Sequence, residues 1–181
     1  MEIHIDTLKE RPRQLDFEDP SGNFPVLAEL ANQGIAEFHG LVTARLTATL
    51  VDDLVEVDGM VNCTVVQPCS RCLQSVEQAL ALKVELSFIR QQPGEEEAAE
   101  RELSEADVGL IAFDGECIDL RSALEQEMLM ALPQHPLCRD DCAGLCPVCG
   151  GDLNQERCDC SPPVFHGGLA VLKNFKVVDK A

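Results

Sequence analysis

The chain has 181 residues, a formal charge of −18 and 45% hydrophobic residues. This length fits one domain, or one domain with a small appendage, and the charge argues against a uniformly basic nucleic-acid binder, because such proteins gain affinity by neutralising phosphates. No apolar run approaches the length of a bilayer-spanning helix, and the absence of Trp and Tyr argues against an aromatic surface that stacks on bases.

The N-terminal segment, MEIHIDTLKERPR, has no apolar signal core, so we expect a soluble cytosolic protein whose cysteines stay reduced. Alternating apolar residues up to position 8 predict a short edge strand that ends at Pro12, and Leu15 with Phe17 predict a second strand. Apolar residues at helical spacing between Pro25 and Gly34 predict a short helix.

Three runs of alternating apolar and polar residues follow, at 42–50, 55–65 and 80–88. Such alternation places apolar side chains on one face of a strand and polar ones on the other. Three successive long strands with short connections predict an antiparallel meander with one solvent-facing side.

A Cys-x-x-Cys pair, Cys69 and Cys72, stands between the second and third of these strands, directly after Pro68. Because Pro cannot continue the ladder, the thiols are expected in a tight turn, as half of a zinc site, as a redox dithiol or as small turn residues. Cys63 and Cys117 lie in apolar runs and are expected in the core.

Residues 91–107 form a glutamate-rich stretch that predicts a flexible loop. A short strand is predicted at 108–113, and a helix at about 119–132, with Asp119 as N-cap and Pro133 as its limit. Glu125 and Glu127 have no catalytic partner at a suitable spacing and are expected to be surface charges.

The stretch from Cys138 to Cys160 holds six of the ten cysteines. Four thiolates suit the tetrahedral coordination of zinc, and two close-spaced pairs can supply them at a low loop-closure cost. The predicted ligands of one structural Zn²⁺ are Cys146, Cys149, Cys158 and Cys160, with Cys138 and Cys142 as the alternative second pair.

Catalysis is disfavoured by the sequence. No phosphate-binding glycine loop, nucleophile elbow or paired histidine set is present, and an all-cysteine zinc site is closed to substrate. We therefore expect a protein that is not an enzyme.

Basic side chains gather near both ends of the acidic chain. At the C-terminal end they are Lys173, Lys176 and Lys180, beside apolar residues that fit one helical face. This segment could be a docking helix, an RNA-contacting tail or a plain helix that closes the core.

Several motifs together resemble the YceD (DUF177) family. They are Pro-Cys-Ser-Arg-Cys-Leu at 68–73, the acidic loop, Ile-Asp-Leu at 118–120, Ala-Leu-Pro at 131–133, and Pro-Leu-Cys-Arg-Asp-Asp-Cys-Ala-Gly-Leu-Cys-Pro-Val-Cys-Gly at 136–150. The resemblance implies a bacterial or plastid protein needed for accumulation of 23S ribosomal RNA. Some members of that family lack the six-cysteine stretch and keep only the earlier Cys-x-x-Cys. The resemblance therefore implies a stabilising role for the cysteine-rich stretch and a functional surface at the turn.

The sequence thus predicts an α+β protein, with an antiparallel β meander or barrel-like sheet, one or two packed helices and a small zinc-binding appendage. The predicted domains are 1–135, the cysteine-rich module 136–162 and the C-terminal helix or tail 163–181. The predicted partner-binding or RNA-binding residues are Cys69, Arg71, Cys72, Lys173, Lys176 and Lys180.

The predicted function is a non-catalytic ribosome-biogenesis factor for 23S rRNA synthesis, processing or stability. It would act on the rRNA or the pre-50S particle, directly or through a basic ribosomal protein or assembly factor. The alternatives are a zinc-containing adaptor that affects rRNA indirectly and a thiol redox sensor.

Overall fold

The computed structural model describes residues 1–91 and 108–161. The predicted acidic loop at 91–107, apart from its first residue, lies outside the described residues. So does the whole predicted C-terminal segment 163–181, including Lys173, Lys176 and Lys180.

A five-stranded sheet forms the centre of the fold, in the order β2-β3-β4-β5-β6. Its strands are β2 (Arg13–Pro20), β3 (Glu37–Val51), β4 (Leu54–Pro68), β5 (Ser75–Arg90) and β6 (Leu110–Phe113). β2 to β5 pair antiparallel in sequence order, which confirms the predicted meander.

The last pair of the sheet departs from the meander, because β6 runs parallel to β5. A parallel neighbour needs a crossover of a dozen or more residues, and the chain between positions 90 and 110 supplies that length. Strand alternation alone carries no information about this direction.

The N-terminal segment forms a smaller unit beside α2. β1 (Glu2–His4) pairs antiparallel with β7 (Cys117–Asp119), and a 3-10 turn (Ile5–Leu8) follows β1. The predicted first strand is therefore shorter than expected. The buried Ile5 and Leu8 stand three residues apart in the 3-10 turn, a spacing that brings both to one side.

Two helices complete the described part of the chain. α1 (Pro25–Asn32) packs against β3, and α2 (Leu120–Met130) packs against β5. Asp119 caps α2 as predicted, since its carboxylate accepts a hydrogen bond from the Arg121 N–H. Apolar side chains of α2, including Leu124 and Met128, are fully buried among the inward-facing residues of the sheet. Burial of each such side chain contributes about 1.5–3 kcal/mol to stability.

Glu125 is not the surface charge that the sequence predicts. It is buried, and its carboxylate accepts hydrogen bonds from the backbone N–H groups of Val26 at 2.7 Å and Leu27 at 3.1 Å. These groups belong to the first turn of α1, where N–H groups lack helical partners and an anion is favoured. Glu125 therefore joins the two helices as a cap supplied from another element.

The two isolated cysteines differ from one another. Cys63 is buried in the core as predicted, and burial raises the pKa of its thiol to about 11. Cys117 is only half-buried, with its Sγ 3.0 Å from Nδ1 of His4 on the paired strand β1. The prediction of a core position is thus confirmed for Cys63 alone.

Candidate metal centres

Eight of the ten cysteines assemble into two groups of four, and each group could hold a metal ion. The inner thiol group is Cys69, Cys72, Cys138 and Cys142; the outer thiol group is Cys146, Cys149, Cys158 and Cys160. Within each group the four sulfurs lie within 4.8 Å of one another. All ten cysteines fall in the described part of the chain and are free thiols.

The inner thiol group begins at the turn between β4 and β5. The Cys69 N–H donates to the Gln74 carbonyl at 2.8 Å, and the Leu73 N–H donates to the Cys69 carbonyl at 3.0 Å, which closes the turn. Leu73 takes a left-handed φ of 62°, unusual for a branched residue, and its side chain is exposed. The turn holds the Cys69 and Cys72 sulfurs together inside the protein.

The segment after α2 brings the second half of the inner group to this turn. Cys72 Sγ lies 3.5 Å from Cys138 Sγ, and Cys69 Sγ lies 3.9 Å from Cys142 Sγ. A tetrahedral zinc with Zn–S bonds of about 2.3 Å spaces its sulfurs about 3.8 Å apart. The donor set and its spacing therefore fit a tetrahedral, thiophilic ion.

Backbone N–H groups point at the Cys69 sulfur in a manner that suits a thiolate. The N–H of Arg71 lies 3.5 Å away and that of Cys138 lies 3.4 Å away. Hydrogen bonds from the backbone of Cys72 and Arg71 lower the pKa of the Cys69 thiol to about 6. Burial acts in the opposite direction at Cys138 and raises its pKa to about 12. The hydrogen bonds to its sulfur thus favour the thiolate form of Cys69.

The outer thiol group is built on a local hairpin. The Cys146 N–H donates to the Gly151 carbonyl at 2.8 Å, and the Gly150 N–H donates to the Cys146 carbonyl at 2.9 Å. Gly150 has a φ of 73°, the left-handed conformation that this turn requires. The Cys-Pro-Val-Cys-Gly sequence thus forms a tight turn that brings two thiols together.

The outer group also combines a thiol of lowered pKa with a thiol of raised pKa, but its cysteines are more exposed to solvent than those of the inner group. The backbone of Cys149 and Val148 lowers the pKa of the Cys146 thiol to about 6. The neighbouring Cys149 thiol is the largest cause of a rise in the pKa of Cys160, to about 12. Cys146 is buried, whereas Cys149 and Cys160 are exposed. This group also fits a tetrahedral ion, at a site open to water.

The four sulfurs predicted as ligands of one zinc are therefore brought together in the outer thiol group. Cys138 and Cys142, the alternative second pair, lie instead against the β4–β5 turn, beside Cys69 and Cys72. Metal occupancy and the number of ions stay predictions. The predicted division of the chain at residue 136 likewise stays a prediction.

Sequence reasoning did not join Cys69 and Cys72 to Cys138 and Cys142. A count of the cysteine pairs could have suggested this connection. Once the outer group is assigned, two close-spaced pairs remain, and each could supply half of a tetrahedral site. The pairs lie 66 or more residues apart, so no local spacing rule connects them.

The turn predicted as a partner surface contains little accessible sulfur, since Cys69 and Cys72 are 0% and 5% exposed. Arg71 is exposed, but its Nη1 donates to the Cys142 carbonyl at 2.8 Å. Contact of this turn with a partner stays a prediction, and it would be made through the exposed Ser70, Arg71 and Leu73.

The fold and the site together define a β-sheet protein with two all-cysteine groups that could each hold a metal. The chain belongs to the YceD family, described as "Large ribosomal RNA subunit accumulation protein YceD", which matches residues 57–176. This confirms the resemblance seen in the motifs. Membership in the family suggests a role in accumulation of the large ribosomal RNA subunit.

Curated relatives occur in mycobacteria. Uncharacterized proteins of Mycobacterium bovis and Mycobacterium tuberculosis are each 33% identical over 116 residues, which is 64% of this chain and 53% of the relative. An uncharacterized protein of Mycobacterium leprae is 30% identical over 122 residues, or 67% of this chain and 54% of the relative. The chain spans about half the length of the curated relatives it matches. No solved structure matches the chain.

Among residues 1–91 and 108–161, no helix combines the length and the apolar character needed to cross a bilayer.

Proposed function

We propose that this protein is a non-catalytic ribosome-biogenesis factor that supports the synthesis, processing or stability of 23S rRNA. The observation that carries the proposal is the family match over residues 57–176, which includes both thiol groups. The cysteine groups have a structural role in it, and the outer group holds a Zn²⁺ ion.

The donor chemistry of the two groups supports a role without catalysis. Each group offers four sulfurs and includes no histidine or carboxylate. Four thiolates complete the tetrahedral coordination of zinc, whereas catalytic zinc keeps one position for water or substrate. A bound ion would therefore stabilise the local fold and leave no position for a reaction.

The charges of the sheet support a protein-mediated contact with the ribosomal precursor. The solvent-facing side of β4 and β5 carries exposed carboxylates at Glu56, Asp58, Glu77 and Glu85. Two exposed cations lie near them, Lys83 on β5 and Arg45 on the neighbouring strand β3. Such a face repels phosphates and attracts a basic surface. A basic ribosomal protein or assembly factor fits it better than bare rRNA.

The test is a depletion experiment in the organism from which the chain derives, with the ratio of 23S to 16S rRNA as the readout. We expect that ratio to fall on depletion and to recover with the wild-type gene. The tagged protein should co-sediment with pre-50S particles and dissociate at raised salt, because the contact is electrostatic. A normal 23S level in depleted cells would contradict the proposal.

Two charge-reversal variants distinguish direct contact with rRNA phosphates from contact through a basic protein. Changing Lys173, Lys176 and Lys180 together to Glu should weaken co-sedimentation if the tail contacts phosphates. Changing Glu77 and Glu85 to Lys should weaken it if the acidic sheet face contacts a basic protein. We expect the change of Glu77 and Glu85 to weaken co-sedimentation more than the change of the three lysines. Unchanged co-sedimentation in both variants would exclude these surfaces.

A further inference from the structure

We infer that the inner thiol group, Cys69, Cys72, Cys138 and Cys142, is a second metal centre, which takes a thiophilic divalent cation such as Zn²⁺ and fastens the segment after α2 to the β4–β5 turn. This inference is independent of the proposed ribosomal function. It differs from the predicted single zinc in the outer thiol group both in its ligands and in what the ion would join.

The inner group has the geometry of a site that is already formed. Two sulfur pairs from different parts of the chain approach to 3.5 Å and 3.9 Å. Both distances are close to the roughly 3.8 Å edge of a zinc–thiolate tetrahedron. A divalent ion among the four sulfurs could therefore bind with only small changes in side-chain position.

Burial makes a cation necessary if these thiols ionise together. Cys69, Cys72 and Cys142 are 0%, 5% and 3% exposed. Several thiolates placed this close and away from water would repel one another unless a positive charge lies among them. The guanidinium of Arg71, a residue of the same turn, donates to the carbonyl oxygens of Asp140 and Cys142 instead of to sulfur. A metal ion is the compensating charge that fits the space.

Hydrogen bonds around the sulfurs form the outer support that metal sites require. Beyond the two N–H groups at Cys69, the Asn154 Nδ2 donates to the Cys142 sulfur at 3.4 Å. The Asn154 Oδ1 accepts from the Ala143 N–H at 2.7 Å and from Arg139 at 2.7 Å. One side chain thus orients a ligand and holds the backbone next to it.

The chain on both sides of the ligands is attached to the turn by backbone hydrogen bonds. The Ser70 N–H donates to the Pro136 carbonyl at 2.8 Å, and the Leu145 N–H donates to the Arg71 carbonyl at 3.1 Å. Gly144 lies so close to Arg71 that a Cβ there would meet the Arg71 carbonyl oxygen at 3.1 Å. The segment therefore lies directly on the turn, and the ion would join two surfaces already in contact.

Elemental analysis of the full chain, purified without chelator and with both zinc and iron measured, tests the inference. We expect two metal equivalents in the wild type and in Cys117→Ser, a matched control outside both groups. We expect one equivalent in Cys142→Ser and one in Cys149→Ser. One equivalent in the wild type, retained in Cys142→Ser and lost in Cys149→Ser, would overturn the inference.

Cobalt titration of the wild type covers the case in which a variant fails to fold. Co²⁺ bound by thiolates gives intense charge-transfer absorption, which should rise until two equivalents have been added. Saturation at one equivalent would overturn the inference. So would a disulfide between any two inner cysteines in freshly purified, unreduced protein, since this would favour the redox alternative.

Discussion

The inner and outer thiol groups each offer four cysteine ligands, yet they depend on the fold in different ways. The inner group joins residues 66 and 73 positions apart, and three of its four cysteines are buried. The outer group lies wholly within 146–160 and is mostly exposed. The inner group therefore forms only after the sheet has folded, whereas the outer group can form within a short peptide.

The difference between the two groups can be expressed as a free energy of loop closure. Bringing together residues 66 apart costs about 2 kcal/mol more than bringing together residues nine apart, the separation of Cys149 and Cys158. In the native protein the folded sheet already holds the inner cysteines together, so an ion that binds there does not have to close this loop. An ion there binds the folded state only, whereas an ion in the outer group can bind the unfolded chain as well.

The largest effect is therefore expected when the sheet is unfolded in urea while metal is followed with a colorimetric chelator. The inner ion should be released together with the loss of sheet structure seen by circular dichroism, and the outer ion should be retained. Ligands that bind only the native state stabilise it, by about 2.7 kcal/mol when free metal is 100-fold above Kd.

Cysteine variants provide the control for this measurement. Cys72→Ser should lower the urea midpoint of the sheet, whereas Cys149→Ser should leave it nearly unchanged. If both variants lower the midpoint equally, the proposed difference between the two groups is wrong.

A substitution that weakens the contact between the two helices tests whether the stability of the fold controls release of the inner ion. Glu125→Ala leaves the N–H groups of Val26 and Leu27 without their acceptor and should destabilise the protein by about 1–3 kcal/mol. Glu125→Gln keeps an acceptor oxygen and should cost less. In thermal unfolding, we expect Glu125→Ala to lower the temperature at which the inner ion is released and to leave release from the outer group unchanged.

Asn154 lies in the loop between the outer ligands, but its side chain supports the inner ligand Cys142. Asn154→Ala should therefore retain both ions and speed chelator extraction from the inner group several-fold, with a stability loss of about 1–2 kcal/mol. Gln155→Ala is the matched control, because the Gln155 side chain donates to Asp152 and, within the described residues, makes no hydrogen bond to an inner ligand. Faster extraction from the outer group alone would show that the loop supports its own site and not the inner one.

The smallest effect concerns the two cysteines outside the groups. In metal-loaded protein, iodoacetamide should modify Cys117, which is half-buried, long before Cys63, which is 6% exposed and has a pKa raised to about 11 by burial. Cys117→Ser should abolish the fast modification and change stability by less than about 0.5 kcal/mol. Peptide mapping by mass spectrometry identifies the site. Fast labelling of Cys69 or Cys142 would count against a loaded inner group.

Strand and helix periodicity predicted most of the described fold, because side chains that alternate or recur at helical spacing must face one core. The three long strands, the turn at Cys69 and the N-cap at Asp119 all follow from residues close in sequence. The direction of β6 was beyond such reasoning, since it depends on where the connection returns to the sheet. Glu125 was assigned wrongly for a related reason: its hydrogen-bond partners are about 100 residues away.

Residues close in sequence specify the local features: a β meander, a capped helix and a Cys-Pro-Val-Cys-Gly turn whose neighbours complete a four-thiol group. Spacing rules work there because the cost of closing a short loop is small and set by the chain. The meeting of Cys69 and Cys72 with Cys138 and Cys142 depends instead on the tertiary fold. That meeting requires the sheet to hold the β4–β5 turn and α2 to deliver the following segment to it, and these positions come from packing across the whole core.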